Sequence, residues 1–421
     1  MNFTREGPII QSRLDTDFYK FTMGQMVFRH YPDIEVKFKL INRSKAPLAE
    51  LIREKDLRHE LDSARRIHLT NSEFHYIHDT NEYGDRMFRE DFLEFFRNME
   101  LPPYKLARVG NDYSLEFVGS WAKVMHWEIP ALAIVSELYY RAQLEKMSRS
   151  ERDAVYATGI ARLMGKIKTL RQHPEITISD FGTRRRFSYL WHDYEIGVLA
   201  EELPKQFRGT SNVFLAMKHE LLPTGTSAHE PQMVVAALAF AGADGRRTDS
   251  EILNEAQNEV LHRWYDLYGQ GLSIALTDTF GSQFFFRTAP ERVAQNWKGT
   301  RQDSGDPFKY GEWAIRWYKR HGVNPKDKII IFSDQLNVEL ITNLHVHFRG
   351  RIGHTFGIGT NLTNDLGFKP ISIVIKAAEA NGRSTVKLSD NPAKAMGDPE
   401  EVERYKRAAG YASTESVECI Y

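Results

Sequence analysis

The stretch Leu221-Leu222-Pro223-Thr224-Gly225-Thr226-Ser227-Ala228-His229-Glu230-Pro231 gathers residue types that can do chemistry. Pro223 and Gly225 break the run before it, three hydroxyls crowd a tight turn, and an apolar helix-like segment, Val234 to Phe240, follows. A turn at a helix start offers backbone N–H groups to phosphate or another anion. With an ordinary pKa of about 6.5, His229 is largely neutral at neutral pH and can attack an electrophile or accept a proton. A histidine that merely caps the helix explains the stretch equally well, so the rest of the chain has to decide.

From about residue 175 one theme repeats: a short β-branched run, then a loop of acids, glycines, hydroxyls or arginines, then a helix. Ile176-Thr177-Ile178 runs into Ser179-Asp180-Phe181-Gly182-Thr183-Arg184-Arg185-Arg186, and Gln206-Phe207-Arg208 into Gly209-Thr210-Ser211-Asn212. The His229 turn comes next. Leu272 to Leu276 ends in Thr277-Asp278-Thr279, Trp297-Lys298-Gly299 meets Thr300-Arg301-Gln302-Asp303-Ser304-Gly305-Asp306, and Lys328 to Phe332 ends in Ser333-Asp334. Ile352 to Phe356 ends in Gly357-Ile358-Gly359-Thr360. Functional residue types collected at strand C-termini in a β/α alternation mark the active face of a barrel or a doubly wound sheet. There, Arg184 to Arg186 and Arg301 can pair bidentately with carboxylate or phosphate. Asp278 and Asp303 are acceptors for ribose hydroxyls or a magnesium shell. Gly357 to Thr360 can bring bare N–H groups up to a monophosphate.

The elements before the repeat are those of an α/β domain. Asp15 and Asp17 are expected to cap a helix through Met23, Met26 and Val27, with Tyr19 in its first turn, accessible to a ligand or a partner subunit. Glu35 to Ile41 alternates as a half-buried strand and runs into the cationic turn Asn42-Arg43-Ser44-Lys45. Thr70 with Glu73 and Ser148 with Glu151 form capping boxes. His75 and His78, with His68 nearby, have a spacing that can bind metal, but no cysteine or carboxylate pair supports it, and a surface helix is the better reading. Lys105 to Val118 reads as a hairpin turning at Gly110-Asn111-Asp112. A second hairpin, around Ala380-Asn381-Gly382-Arg383, and a last helix from about Pro399 to Ala409 close the chain.

Composition narrows the classes. The 421 residues are 42% hydrophobic and 27% charged, with 56 basic and 56 acidic side chains, a balance that gives no sign of a nucleic-acid coat or a polybasic membrane patch. The lone cysteine, Cys419, leaves no disulfide framework or thiolate zinc site. Met1 to Lys20 has no apolar h-region and no run reaches membrane-spanning length, so the expected location is the cytoplasm.

Four motifs, Asp15-Thr16-Asp17-Phe18-Tyr19-Lys20, Ser179 to Arg186, Gly225 to Glu230 and Arg301 to Pro307, resemble in order those of bacterial nicotinate phosphoribosyltransferase, and the likeness extends over nearly the whole chain. The resemblance implies a type II phosphoribosyltransferase fold: an irregular α/β barrel (residues 128–368, with connecting helices) and an α/β domain built from both chain ends (1–127 and 369–421). It implies conversion of nicotinate, phosphoribosyl pyrophosphate, ATP and water to nicotinate mononucleotide, pyrophosphate, ADP and phosphate, with Mg2+, in a homodimer with shared active sites. On that basis Phe181, and Tyr19 from the other subunit, would sandwich the pyridine ring. Arg301 would hold the carboxylate, with Ser211 donating beside it where nicotinamide-using relatives carry an acid. Asp278 and Asp303 would face the phosphoribosyl group and magnesium, Gly357, Gly359 and Thr360 the 5′-phosphate, and Arg43, Lys387 and Lys394 the pyrophosphate or ATP phosphates. His229 would take the γ-phosphoryl group, oriented by Glu230 or another acid such as Asp180. A nicotinamide or quinolinate phosphoribosyltransferase on the same fold is the rival enzyme. A phosphohistidine relay protein is the rival of another class, and it leaves the Asp and Arg loops without a role.

Overall fold

The structure, a computed structural model, describes residues 7–82 and 85–411, so Cys419 lies outside it. In chain order the strands are β1 (Glu35–Asn42), β2 (Asn81–Glu82), β3 (Asp85–Arg86), β4 (Tyr104–Val109), β5 (Asp112–Ser120), β6 (Ile178–Asp180), β7 (Phe207–Thr210), β8 (Ile274–Leu276), β9 (Gly299–Gln302), β10 (Ile329–Phe332), β11 (Gly353–Ile358), β12 (Ile373–Ala380) and β13 (Arg383–Ser384). They form a five-stranded sheet in the order β13-β12-β1-β5-β4, a six-stranded sheet in the order β7-β6-β11-β10-β9-β8, and the small β2-β3 ribbon.

The five-stranded sheet is antiparallel and draws on both chain ends, as expected: β1 lies between β5 and β12. Val36 and Phe38 turn inward from β1 and are fully buried. The turn into β13 places Asn381 and Gly382 at φ 46° and 75°, the left-handed pair that a tight hairpin turn requires. The capping boxes Thr70/Glu73 and Ser148/Glu151 are both formed, and the last helix spans Pro399–Ala409.

The six-stranded sheet is parallel throughout. Two sequence expectations fail in it for physical reasons. The His229 turn contributes no strand: Pro223, which has no N–H to donate, makes only an isolated bridge to Thr210. The strands also run further than their β-branched runs, so Asp180, Thr210, Arg301 and Gln302 lie inside strands and not in loops. Such polar residues persist in buried strands because they satisfy one another; the Thr210 hydroxyl, for instance, donates to Asp180 at 2.6 Å.

Asp15 and Asp17 do not cap the first helix, Tyr19–His30, whose N-cap is Phe18 with no side-chain cap bond. Both are spent on tertiary contacts. Asp15 accepts from both terminal nitrogens of the buried Arg186 guanidinium at 2.7 and 2.8 Å and from Asn212, while Asp17 accepts from the Ser211 hydroxyl at 2.7 Å. A buried guanidinium needs a carboxylate more than a helix terminus does, because an uncompensated buried charge costs several kcal/mol. The pair clamps the chain's start onto the loop after β6. Among the described residues, no helix is long and apolar enough to cross a membrane.

Removing one partner of a buried ion pair typically costs about 3–5 kcal/mol. Asp15→Ala is therefore expected to lower the midpoint of urea unfolding by that equivalent, and Asp79→Ala, on an exposed side chain, to leave it unmoved.

Candidate active site

The C-terminal ends of the parallel strands open onto a cavity of about 290 Å³. Its wall carries seven cations, Arg43, Arg184, Arg185, Arg301, Lys376, Lys387 and Lys394, against two carboxylates, Asp303 and Asp334. That imbalance fits a polyanionic ligand. Five elements supply the cations: the turn after β1, the loop after β6, strand β9, strand β12, and the segment following β13. The second sheet thus closes the cavity over the barrel's active face.

His229 is buried in this wall, 4% exposed, immediately before the helix Glu230–Ala241. Its Nδ1 meets the Thr279 hydroxyl at 3.0 Å; its Nε2 meets Asp303 Oδ2 at 3.0 Å and Lys387 Nζ at 2.8 Å. Burial and the Lys387 charge push the imidazole pKa down to about 4, outweighing Asp278 and Asp303, so the ring is neutral at neutral pH. Burial likewise brings the Lys387 ammonium down to about 8, against the opposing pull of Asp278 and Asp303. For Asp303 burial acts upward, yet Arg301, His229 and Lys387 together hold the carboxyl well below the usual range. Ligand atoms of His229, Asp278 and Asp303 lie within 4.8 Å of one another, which is close enough to share a metal ion. In this set the oxygen open to one is the buried Asp278 Oδ1, which has no hydrogen-bond partner, whereas both Asp303 oxygens are already engaged.

The neighbours of His229 are not those expected. Glu230 turns away to accept from Lys20 and Trp121, and Asp180 serves His192, Thr210 and the backbone of Gly182. Local sequence adjacency misleads here because successive residues at a helix start point in different directions. Thr279, Ser333 and Asp334 escaped the sequence reading as functional positions. Their common signal was their place at the ends of β8 and β10.

Tyr19 and Phe181 of one chain line the same cavity. The Asp15–Arg186 clamp carries the chain start to the loop after β6, and Tyr19 follows it inward, 6% exposed, its hydroxyl without a partner. Arg301 lies 5.7 Å from the Phe181 ring centre and Arg184 5.9 Å from that of Tyr19. Arg301 already donates to Ser333, Thr226, the Ser227 carbonyl and Asp303, which uses four of its five N–H groups. Arg184 sits 3.7 Å from Asp17 and 3.9 Å from Glu128, beyond hydrogen-bonding range, and is the better placed to grip a new anion. Ser211 is corrected: its hydroxyl donates to Asp17 and it is not part of the cavity wall. Gly357 is corrected too, because a Cβ there would meet the Phe181 ring at 2.3 Å; it makes room for that ring, while Gly359 and Thr360 do line the cavity. Arg43, Lys387 and Lys394 all reach the wall, Lys394 pairing with Asp334. His75 and His78 remain on the helix Asn71–His78, where His78 contacts Asp79 and Glu90.

Because the folded His229 pKa lies below the unfolded one, the unfolded state binds the extra proton first on acidification. The stability linked to the neutral ring is present above pH 6.5 and is lost as pH falls toward about 4. In NMR titrations the His229 ring signals are expected to stay flat from neutral pH to about 5, where an ordinary histidine has titrated. A midpoint near 6.5 for that ring contradicts the burial argument.

Comparison with known proteins follows the same lines. Residues 14–136 match the nicotinate phosphoribosyltransferase N-terminal domain model, and residues 176–412 match the nicotinate phosphoribosyltransferase family model. The fold is similar to the crystal structure of nicotinate phosphoribosyltransferase from Porphyromonas gingivalis, with TM-score 0.83 and 31% identity over 96% of this chain and 100% of that one. It is equally similar to the enzyme of that name from Vibrio cholerae, with TM-score 0.84 and 32% identity over 97% of this chain and 95% of that one. With both parts of its length matched in sequence and in fold, the chain belongs to the nicotinate phosphoribosyltransferase family.

Proposed function

We propose that the protein joins nicotinate to the phosphoribosyl group of phosphoribosyl pyrophosphate in NAD salvage, and that ATP hydrolysis through a phosphorylated His229 drives the reaction. The observation that carries the reading is the joining, in one cavity, of an aromatic pair and a ring of cations around a neutral buried histidine. A flat pyridine acid, a sugar phosphate and a pyrophosphate together need those features.

In the reaction the pyridine nitrogen displaces pyrophosphate from the anomeric carbon of ribose. The developing sugar cation needs a positioned ring, a neutralised leaving group and nearby carboxylates, and no protein nucleophile. Tyr19 and Phe181 hold the ring, a stacking arrangement that contributes about 0.5–1.5 kcal/mol beyond burial. The nicotinate carboxylate goes to Arg184 and the remaining donor of Arg301, taking the place first given to Ser211. Lys376, Lys387, Lys394 and Arg43 neutralise phosphates, and Gly359 and Thr360 face the 5′-phosphate. Magnesium, when bound, would take Asp278 as a protein ligand and would supply further neutralisation of the leaving group. Asp303 orders both Arg301 and His229. The γ-phosphoryl group on His229 adds negative charge beside Lys387, and its arrival and loss can shift the balance between a tight and a loose substrate state.

Incubation with nicotinate, phosphoribosyl pyrophosphate, ATP and magnesium is expected to yield nicotinate mononucleotide by liquid chromatography and mass spectrometry. Asp303→Ala, which frees Arg301 and His229 together, is expected to lower kcat by a factor of about 100 to 1,000 with an unchanged circular dichroism spectrum. His229→Ala is expected to abolish ATP hydrolysis and the ATP-driven gain in substrate affinity while slow synthesis persists, because the displacement itself does not use the imidazole. Nicotinate is expected to exceed nicotinamide in kcat/KM by roughly ten- to a hundredfold, the equivalent of one charge-assisted hydrogen bond. Equal values for acid and amide count against the arginine assignment.

A further inference from the structure

Thr279 has no role in the reaction as derived above, yet among the described residues it is the one hydrogen-bond partner of His229 Nδ1. It is fully buried, follows Asp278 after β8, and does not line the cavity. Its hydroxyl lies 3.0 Å from Nδ1, and its backbone carbonyl accepts from Leu388 N at 2.8 Å, anchoring the segment that carries Lys387. One residue thus sets both the histidine and the lysine opposite it.

The other nitrogen, Nε2, faces two groups with opposite demands. The Lys387 ammonium at 2.8 Å can only donate, and the Asp303 carboxylate at 3.0 Å can only accept. The shorter of the two contacts, to the donor-only ammonium, favours a lone pair on Nε2 and the ring proton on Nδ1, where the Thr279 hydroxyl, able to donate or accept, can take it. We propose that Thr279 is a positioning residue whose hydroxyl oxygen accepts the Nδ1 proton of His229, so that Nε2 presents its lone pair to the cavity as the phosphoryl acceptor. This rests on the ATP-coupled reading above. In the step, the Nε2 lone pair bonds to the γ-phosphorus of ATP, the phosphorus–oxygen bond to the β-phosphate breaks, and its electron pair leaves with ADP. The Nδ1 proton stays in place, so the positive charge of the phosphorylated ring is held against Thr279 Oγ1. The closer contact of Nε2, with a donor-only ammonium, is the contact that a lone pair on that nitrogen satisfies.

The test uses the full chain with ATP and magnesium, with 31P NMR assigning the phosphohistidine isomer and rapid quench giving the rate of its formation. Thr279→Val keeps the shape and the carbonyl bond to Leu388 but removes the hydroxyl; Thr279→Ser restores it. The expected result is phosphate on Nε2 in the wild type and in Thr279→Ser. Thr279→Val is expected to form phosphoenzyme about tenfold more slowly at an unchanged melting temperature, the rate equivalent of about one hydrogen bond. Phosphate on Nδ1 of the wild type overturns the assignment while leaving ATP coupling intact, and it does so whether or not the valine variant folds. A valine variant that is phosphorylated at the wild-type rate also overturns it. Absence of any phosphohistidine in the wild type removes the ATP-coupled reading itself.

Discussion

The Lys20 ammonium is completely buried between two carboxylates, Glu128 Oε2 and Glu230 Oε2, each 2.7 Å away. Burying one charge costs several kcal/mol, and burying three is tolerable only when the geometry satisfies their hydrogen bonds. Here it does: Glu230 also accepts from the Trp121 indole, and Glu128 from Lys376 on β12. The charged groups so tied belong to the helix of Tyr19, the connecting helix Glu128–Leu144, the helix that starts after His229, and the sheet completed by β12. Each carries a residue of the cavity wall or stands next to one. The relative placement of the barrel and the two-ended domain therefore rests on a charge network that no single element could satisfy by itself.

Carboxylates of this network and beside it offset part of the cavity's cationic wall. Glu128 stands behind Lys376 and, at 3.9 Å, behind Arg184, and Asp334 pairs with Lys394. Carboxylates set outside or at the edge of the cavity offset the wall at rest. Cations with incomplete hydrogen-bond sets, Arg184 above all, keep donors available for a ligand. Burial then tunes what remains: it lowers the Lys376 and Lys387 ammonium groups and the His229 imidazole, while Asp303 stays ionised beside Arg301.

Polar residues inside the parallel strands belong to the same design. Asp180, on β6, receives His192 and Thr210 through one oxygen and the Gly182 N–H through the other, fixing the turn from which Phe181 enters the cavity. Gly357 on the neighbouring strand leaves space for that ring. The position of a cavity-lining aromatic is therefore decided behind it, by a buried acid and a missing side chain.

Many local signals were legible in the sequence. Capping boxes, the two hairpins, the last helix and the β/α alternation depend on residues within a few positions of one another, and periodicity and turn chemistry report such neighbours faithfully. The motif residues were legible as a set, since His229, Asp303, Arg301, Phe181 and Tyr19 do meet in one cavity. Their partners were not. That Asp15 serves Arg186 and not a helix end, that Ser211 serves Asp17, and that Thr279 and Asp303 and not Glu230 flank the histidine all depend on residues far apart in sequence. A side chain's hydrogen-bond partner is chosen by which buried charge most needs it, and that competition exists only once the sheets have packed.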